Sequence, residues 1–437
     1  MNRRDFLKAG LGAAAAGTVG ILASQASAGA ATSLADARRK SPRGSITVWM
    51  HQESAFQDVY EKLVTGFERS HPGTKVTSLY IPFSDLETKT MTAYLGGDPP
   101  DIVKLPGTTF PQFSSKRLFA PVDPGAMGYA SIGAFKAAFE PNTTSQLNYN
   151  GTIYGVPITW NALFLFYNKD DFRAAGLDPT KPPATWEDLV RVAKKLTKYK
   201  ATGAVERAGF QWTYEEATEW TYMDLLGLVL GLGGTILKDG KGNLSSKEGI
   251  QALTYYQDMS VKYKISSPNI TSTEYDPGIF ANNQASMLIS SNWMTPLIEG
   301  IKKSFKLGPN WGVAPTPRWQ GRPQVTISYT YGWAVAKNSK NAPLAWEFIR
   351  YLESQSSVKA LLEGAGIIEP IVNWHSLAPR TPGYDLEAQL ASRSTSGPNV
   401  AYYHKMASAL TTGLQALARG KVSPAQMAAQ FDATSFT

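Results

Sequence analysis

The sequence predicts an α/β fold in two lobes, and three observations carry that expectation. Strands and amphipathic helices alternate from Ser45 onward as β-α-β-α-β, an order that builds parallel sheets with right-handed crossovers. A proline-bearing extended segment from Asn150 to Asn161 runs straight into an apolar strand, Ala162 to Tyr167, as a chain does on leaving one sheet for the next. At 437 residues and 43% hydrophobic, the chain has material for one or two ordinary cores.

The first residues read as an export signal and not as part of the fold. Arg3-Arg4-Asp5-Phe6-Leu7-Lys8 precedes an uncharged Ala/Gly-rich run from Ala9 to Ala23, and Ala26-Ser27-Ala28 forms a small-x-small cleavage site. The run is too short and too weakly apolar for a spanning helix, which needs about 20 residues. The paired arginines followed by Phe6, Leu7 and Lys8 fit the twin-arginine pattern, so the protein is expected to cross the membrane folded and to work in the periplasm or outside the cell. Residues 29–43 are expected to be a flexible tether. The chain has no Cys, which excludes disulfides, thiolate metal sites, a Cys nucleophile and a lipid anchor on Cys.

Of the formal charge of +8, the first 28 residues hold three basic groups and one acidic one, so +6 remains for the exported part. That surplus does not form a stripe. Arg38, Arg39, Lys40 and Arg43 lie in the tether, and Lys194-Lys195 and Lys302-Lys303 fall on separate helix faces, so no nucleic acid is expected as partner.

Ser45 to Trp49 reads as the first strand. Phe56, Val59, Tyr60, Leu63, Val64 and Phe67 then recur at helical spacing until His71-Pro72-Gly73 stops the helix. Lys75 to Ile81 is the second strand, Asp85 to Leu95 a helix closed by Gly96-Gly97, and Asp101 to Leu105 the third strand. Ligands of such sheets sit beyond the carboxyl ends of the strands, which selects the loops beginning at His51 and at Pro106. Farther on, Thr185 caps a helix starting at Trp186, and Asp239 to Asn243 is a turn whose Lys241 sits where a calcium loop needs an acid. A helix spans Ser246 to Lys262, and a strand from Ala285 to Ile289 ends in Ser290-Ser291-Asn292-Trp293. Trp311 to Pro317 reads as a second passage between lobes, Gln324 to Ala336 as strand-rich, Ala378 to Gly397 as loop, and Val400 to Leu417 as the last helix.

Pro99-Pro100-Asp101-Ile102-Val103, the passage from Ile153 to Lys169, Pro183 to Leu189, and Ala285 to Trp293 are the most specific segments. In this order they resemble the bacterial extracellular solute-binding proteins of family 1, the sugar-binding, maltose-binding-protein-like components of ABC importers. The resemblance spans nearly all of the exported chain. It implies a two-lobed Venus-flytrap α/β fold, each lobe a mainly parallel sheet flanked by helices, with about three interlobe crossings and the solute in the cleft. Transferred here, lobe one is 44–158 plus 318–341 and lobe two is 159–317 plus 342–437. The implied partners are a small-molecule carbohydrate and the membrane permease subunits; the protein is expected to be a monomer, with no cofactor, no metal and no catalytic residue.

A pyranose presents hydroxyls at its rim and C–H bonds on its faces, so it calls for hydrogen-bonding groups at the edge and aromatic rings against the face. Trp293 follows a buried strand where the family places a sugar-stacking ring, with Trp160 and its neighbour Asn161, Trp212 and Tyr403 as further candidates from the second lobe. From the first lobe, His51, Gln52 and Glu53 follow the first strand, Thr108 follows the third, and Tyr331 and Trp333 lie on a late strand. Trp49, Trp186 and Trp346 read as packing residues. The family often has an acidic residue where Asn161 stands, a departure that leaves the choice of sugar open.

Two other readings deserve weight. Glu53, Asp85, Asp101 and Glu274 could serve a polysaccharide-cleaving enzyme if two of them converged. Asp101, however, opens its strand at the end opposite the expected cleft. The four histidines show no metal spacing, and no Gly-x-Ser-x-Gly elbow or phosphate loop is present. The same fold could also take a polyol, a sugar acid or a glycerol-phosphate type of solute, but the expected strand ends carry aromatic, amide and hydroxyl groups and no cationic cluster.

Overall fold

The computed structural model describes residues 42–436 except 215–217, 273–274, 366–369 and 378–380. The export signal, most of the tether and Glu274 therefore lie outside the described residues. No helix among the described residues is long and apolar enough to cross a membrane.

The first sheet begins as the sequence predicts. Strands β1 (Gly44–His51), β2 (Thr74–Ile81) and β3 (Ile102–Pro106) are parallel, with β1 paired to β2 from Gly44↔Thr74 through His51↔Ile81. Helix Ser54–Ser70 covers one face and buries Phe56, Tyr60, Val64 and Phe67, the stripe its spacing dictates.

The chain then passes through a hairpin of β4 (Asn148–Tyr149) and β5 (Thr152–Ile153) to β6 (Val156–Pro157), an edge strand of the first sheet. An edge is the place for Pro157, which has no N–H to donate. Next come β7 (Asn161–Ala162) and β8 (Phe164–Asn168), with all five residues of β8 buried.

Helix Trp186–Leu196 starts at Thr185, whose hydroxyl accepts from Asp188 N at 3.1 Å as an N-cap should. Short pairs follow: β9 (Lys198–Tyr199) with β10 (Val205–Arg207), and β11 (Leu237–Lys238) with β12 (Lys241–Gly242). The second of these turns on Asp239 and Gly240, both at positive φ, as a two-residue hairpin loop demands.

The remaining strands are β13 (Met287–Ser290), β14 (Trp311–Pro315), β15 (Ser328–Tyr329) and β16 (Tyr331–Val335). In the first sheet the order is β2-β1-β3-β16-β6, with β16 antiparallel to both of its neighbours. In the second it is β13-β8-β14, antiparallel throughout. Residues 208 and 211 continue this sheet by parallel bridges to Ala285 and Leu288.

Two expectations are corrected by these facts. The second sheet is not mainly parallel, because β8 runs antiparallel to both β13 and β14. Trp311–Pro315 is not a passage between lobes but a strand of the second sheet. The passage back is made by β15, which pairs with β7 as Asn161↔Tyr329 and Ala162↔Ser328. In the segment 318–327, Trp319 Nε1 donates to Leu228 O at 3.0 Å, and Arg318 N donates to Ala184 O at 3.1 Å. In helix Ala342–Leu352, Phe348 packs on Phe67 and Tyr60 with ring centres 4.9 and 6.0 Å apart.

The stretch expected to be loop also holds a helix, Pro382–Ala391, whose Thr381 side chain accepts from Tyr384 N at 3.2 Å. Helix Tyr403–Ala418 matches the expected last helix, and one more, Pro424–Asp432, follows it.

Candidate ligand-binding cleft

The carboxyl end of the first sheet gathers a compact polar group. His51 closes β1, and its Nε2 lies 2.9 Å from Glu53 Oε2. Lys104, in the middle of β3 and only 2% exposed, brings Nζ to 3.2 Å from the same oxygen. The ammonium also sits 3.6 Å from the ring centre of Phe56 and 5.4 Å from that of Tyr331, a double cation–π contact. The His51 ring is flanked by Phe83 edge-on at 5.6 Å and by Tyr331 at 5.2 Å.

Electrostatics follow from this packing. Burial alone would raise the Glu53 carboxyl, but Lys104 and His51 outweigh it and hold the group ionised well below its ordinary value of 4.5. Burial, aided by Lys104, lowers His51, so the imidazole stays neutral. The cluster carries one negative and one positive charge. Both contacts to Glu53 fall on Oε2.

Beside it, Gly107–Thr109 forms a single tight turn after β3, with Thr108 buried. Gly107 N donates to Thr330 O at 2.8 Å, and Thr159 Oγ1 accepts from Tyr331 N at 3.0 Å, so the two passages between lobes and this turn are fastened together.

From the second lobe, the end of β13 supplies Ser291, Asn292 and Trp293. Ser291 Oγ lies 2.7 Å from Tyr329 OH, tying this end to the returning strand. Trp293 is half-buried and packs against both large apolar clusters of the molecule. Helix Tyr403–Ala418 approaches the Gly107–Thr109 turn, and His404 Nδ1 lies 3.3 Å from Glu87 Oε2 of helix Phe83–Gly96.

His51, Glu53 and Tyr331 are thus brought into direct contact, with Thr108 on the neighbouring turn. Gln52 is exposed, its N–H donating to Ile81 O at 2.8 Å. Asn161 is buried in the β7–β15 pair.

Three of the four indoles expected to meet a ligand are almost wholly buried. Trp160 is 3% exposed and stacks on His375 at 5.1 Å. Trp212, 1% exposed, stacks on Tyr256 at 5.1 Å. Trp333, also 1% exposed, lies against Phe56 and Tyr60 in the first core. Tyr403 is buried too, edge-on to Tyr222.

Lys104 and Phe83 were missed by sequence reasoning. A lone lysine inside the strand Ile102-Val103-Lys104-Leu105 was the available signal, because a buried cation demands a carboxylate partner. Among the described residues, the carboxylates named for an enzyme are held apart in separate contacts. Asp101 is fixed at the amino end of β3 by Thr47 N at 2.9 Å and Ser339 Oγ at 2.5 Å, and Asp85 pairs with Lys89 on the surface.

Comparison with known proteins fits this architecture. Residues 1–20 match the twin-arginine translocation signal, so the protein is exported. A binding protein of Brucella abortus (strain 2308) is 27% identical over 313 residues, covering 71% of this chain and 72% of its own. The multiple sugar-binding protein of Streptococcus mutans is 23% identical over 279 residues, 62% of each chain.

Among solved structures, an ABC transporter solute-binding protein of Thermotoga lettingae bound with α-D-tagatose superposes with a TM-score of 0.79 at 22% identity. It covers 89% of this chain and 97% of that one. The maltose/maltodextrin-binding domain of Bdellovibrio bacteriovorus bound to maltotriose gives 0.76 at 21% identity, with 90% and 98% covered. These likenesses show the two-lobed solute-binding fold. Residues 51–359, well over half of the chain, match the family model itself, and the chain belongs to the bacterial extracellular solute-binding protein family.

Proposed function

We propose that this protein is the extracytoplasmic sugar-binding component of an ABC importer. It takes a neutral mono- or oligosaccharide between its lobes and passes it unaltered, as a monomer, to membrane permease subunits. The observation that carries the reading is the Glu53 group: an ionised carboxylate, fixed through one oxygen by Lys104 and His51, offers its other oxygen to ligand hydroxyls beside the rings of Tyr331 and Phe83. A buried ligand hydroxyl left without a partner costs about 1–3 kcal/mol, so such an acceptor selects for hydroxyl-rich solutes. Half-buried Trp293 is the remaining indole suited to lie against a sugar face.

On this reading the first lobe consists of residues 44–158 with 331–352, and the second of 159–327 with most of the chain after 370. The β7–β15 pair runs between them. Closure adds the second lobe's contacts to those of the first.

A glycerol-phosphate ligand is the alternative that a relative raises: the sn-glycerol-3-phosphate-binding protein of Brucella abortus (strain 2308) is 30% identical over 186 residues. Against it, the one buried cation of this group is already paired, and a phosphate would meet the Glu53 carboxylate. A thermal-shift and calorimetric screen over D-tagatose, mannobiose, maltotriose and sn-glycerol 3-phosphate tests the reading. Stabilisation by a sugar without product formation is expected; stabilisation by the phosphate ester alone, or turnover of an oligosaccharide, refutes it.

A further inference from the structure

The groups placed in the cleft come from different sheets, and one buried side chain reaches toward both sets. Tyr329 lies on β15 and is 5% exposed. Its hydroxyl lies 2.7 Å from Oγ of Ser291, which is fully buried and directly follows β13. Its ring meets the Tyr331 ring edge-on, with centres 6.3 Å apart at 75°. Tyr331 in turn flanks the His51 ring at 5.2 Å and the Lys104 ammonium at 5.4 Å. A phenylalanine ring would pack in the same place, so the buried hydroxyl is there for its partner. Removing either member of such a pair leaves the other unsatisfied in the interior.

Ser291 and Trp293 belong to one turn. Met294 N donates to Ser291 O at 3.1 Å, and Trp293 is the third residue of the four so closed. At the other end Tyr329 pairs with Asn161 on β7, and beside it Ala162 N donates at 2.8 Å to Oε1 of Glu387, a fully buried residue of helix Pro382–Ala391. Thr330 is held twice: its N–H donates to Gln146 Oε1 at 3.1 Å and its hydroxyl to Thr159 O at 2.6 Å. The backbone under Tyr329 is therefore fixed, and through the Ser291 hydroxyl the Trp293 turn is fastened to it.

We propose that Tyr329 is a positioning residue for ligand binding, holding the Trp293 turn, through Ser291, at a fixed place relative to Tyr331 and the Glu53 group; this rests on the binding reading above. Tyr329 is itself sealed from the cleft and touches no ligand. A solute gripped from two sides binds less tightly when those sides can shift, because ordering them then falls to the binding step. Loss of the hydroxyl pair should therefore weaken affinity without removing a ligand contact. Because the two hydroxyls act as one unit, removing the second after the first should cost little more.

The test uses the full exported chain in a double-mutant cycle. Tyr329→Phe removes the hydroxyl and keeps the ring, Ser291→Ala removes its partner, and the double variant removes both. Calorimetry with D-tagatose, mannobiose and maltotriose reads affinity, and amide hydrogen exchange without ligand reads the turn from Ser291 to Met294. Each single variant is expected to bind about tenfold more weakly and to exchange about tenfold faster across that turn, with the double variant within about threefold of either single. A hydroxyl pair that served stability alone would lower the melting temperature and leave the affinity of the folded protein untouched. Single variants that keep wild-type affinity, unchanged exchange across the turn, or affinity losses that multiply in the double variant overturn the proposal. If one single variant does not fold, the other must show both losses. Failure of the wild-type chain to bind any of the three sugars overturns instead the reading beneath it, and the wild-type arm alone reveals that.

Discussion

Lys104 and Glu53 meet 3.2 Å apart at the carboxyl end of the first sheet, one 2% exposed and the other 27% exposed. The lysine is out of water while the carboxylate is partly exposed, so the pair couples a buried cation to a partly exposed acceptor. Phe56 beneath the ammonium, 3.6 Å from ring centre to Nζ, shares that cation and fixes its position.

Lys104→Met should therefore remove more than a charge. Breaking a fully buried pair by deleting one partner costs about 3–5 kcal/mol, and the partial exposure of Glu53 should reduce this to about 2 kcal/mol. The pair also fixes an acid limit. The Glu53 carboxyl is held below its ordinary 4.5 in the folded state, so its contribution is complete above that value and is lost as pH falls below it. Urea unfolding at pH 7 and pH 4 checks both points: the wild-type protein should lose more stability on acidification than Glu53→Gln. Equal losses would refute the sign.

Trp293 and Trp333 should answer substitution in opposite ways. Trp333→Ala empties a sealed position among Phe56 and Tyr60 and should cost about 3–5 kcal/mol. Trp293→Ala should leave the ligand-free melting temperature within a few degrees and abolish sugar-induced stabilisation. Differential scanning fluorimetry with and without sugar separates the two, and a collapse of the unliganded Trp293→Ala protein would make that indole a core residue.

Glu387 sets an alkaline tendency. Its folded-state pKa is raised far above 4.5, so its share of stability is complete below about 4.5 and is lost as pH rises toward the folded value. Each pH unit in that window removes at most about 1.4 kcal/mol per proton. Glu387→Gln has no proton to lose and should gain on the wild type between pH 5 and pH 8 in urea midpoints; parallel curves would contradict the assignment.

The sequence was most legible where periodicity or capping chemistry acts locally. The stripe from Phe56 to Phe67, the Thr185 cap and the edge placement of Pro157 all follow from rules that involve only neighbouring residues. Strand sense in the second sheet was not legible, because β8 is buried on both faces whether its neighbours run parallel or antiparallel.

The same blindness affected the indoles. Trp160, Trp212 and Trp333 all stand near strand ends, and sequence position does not reveal that their rings turn into a core. Lys104 was overlooked because its partner lies 51 residues away in the chain. Helix Pro382–Ala391 looks like loop in sequence because Pro382 and Gly383 resemble breakers, although Thr-Pro at a helix start is a favourable beginning.

The place of β16 between β3 and β6 has a consequence for how the protein is made. The ribosome must reach residue 335 before the first sheet can fill its fourth position, and every strand of the second sheet is synthesised in the interval. Until then β3 and β6 present bare ladder edges, which invite pairing with other chains. A transport route that accepts finished proteins suits this order of events, because the late strand is already home before the molecule leaves the cytoplasm.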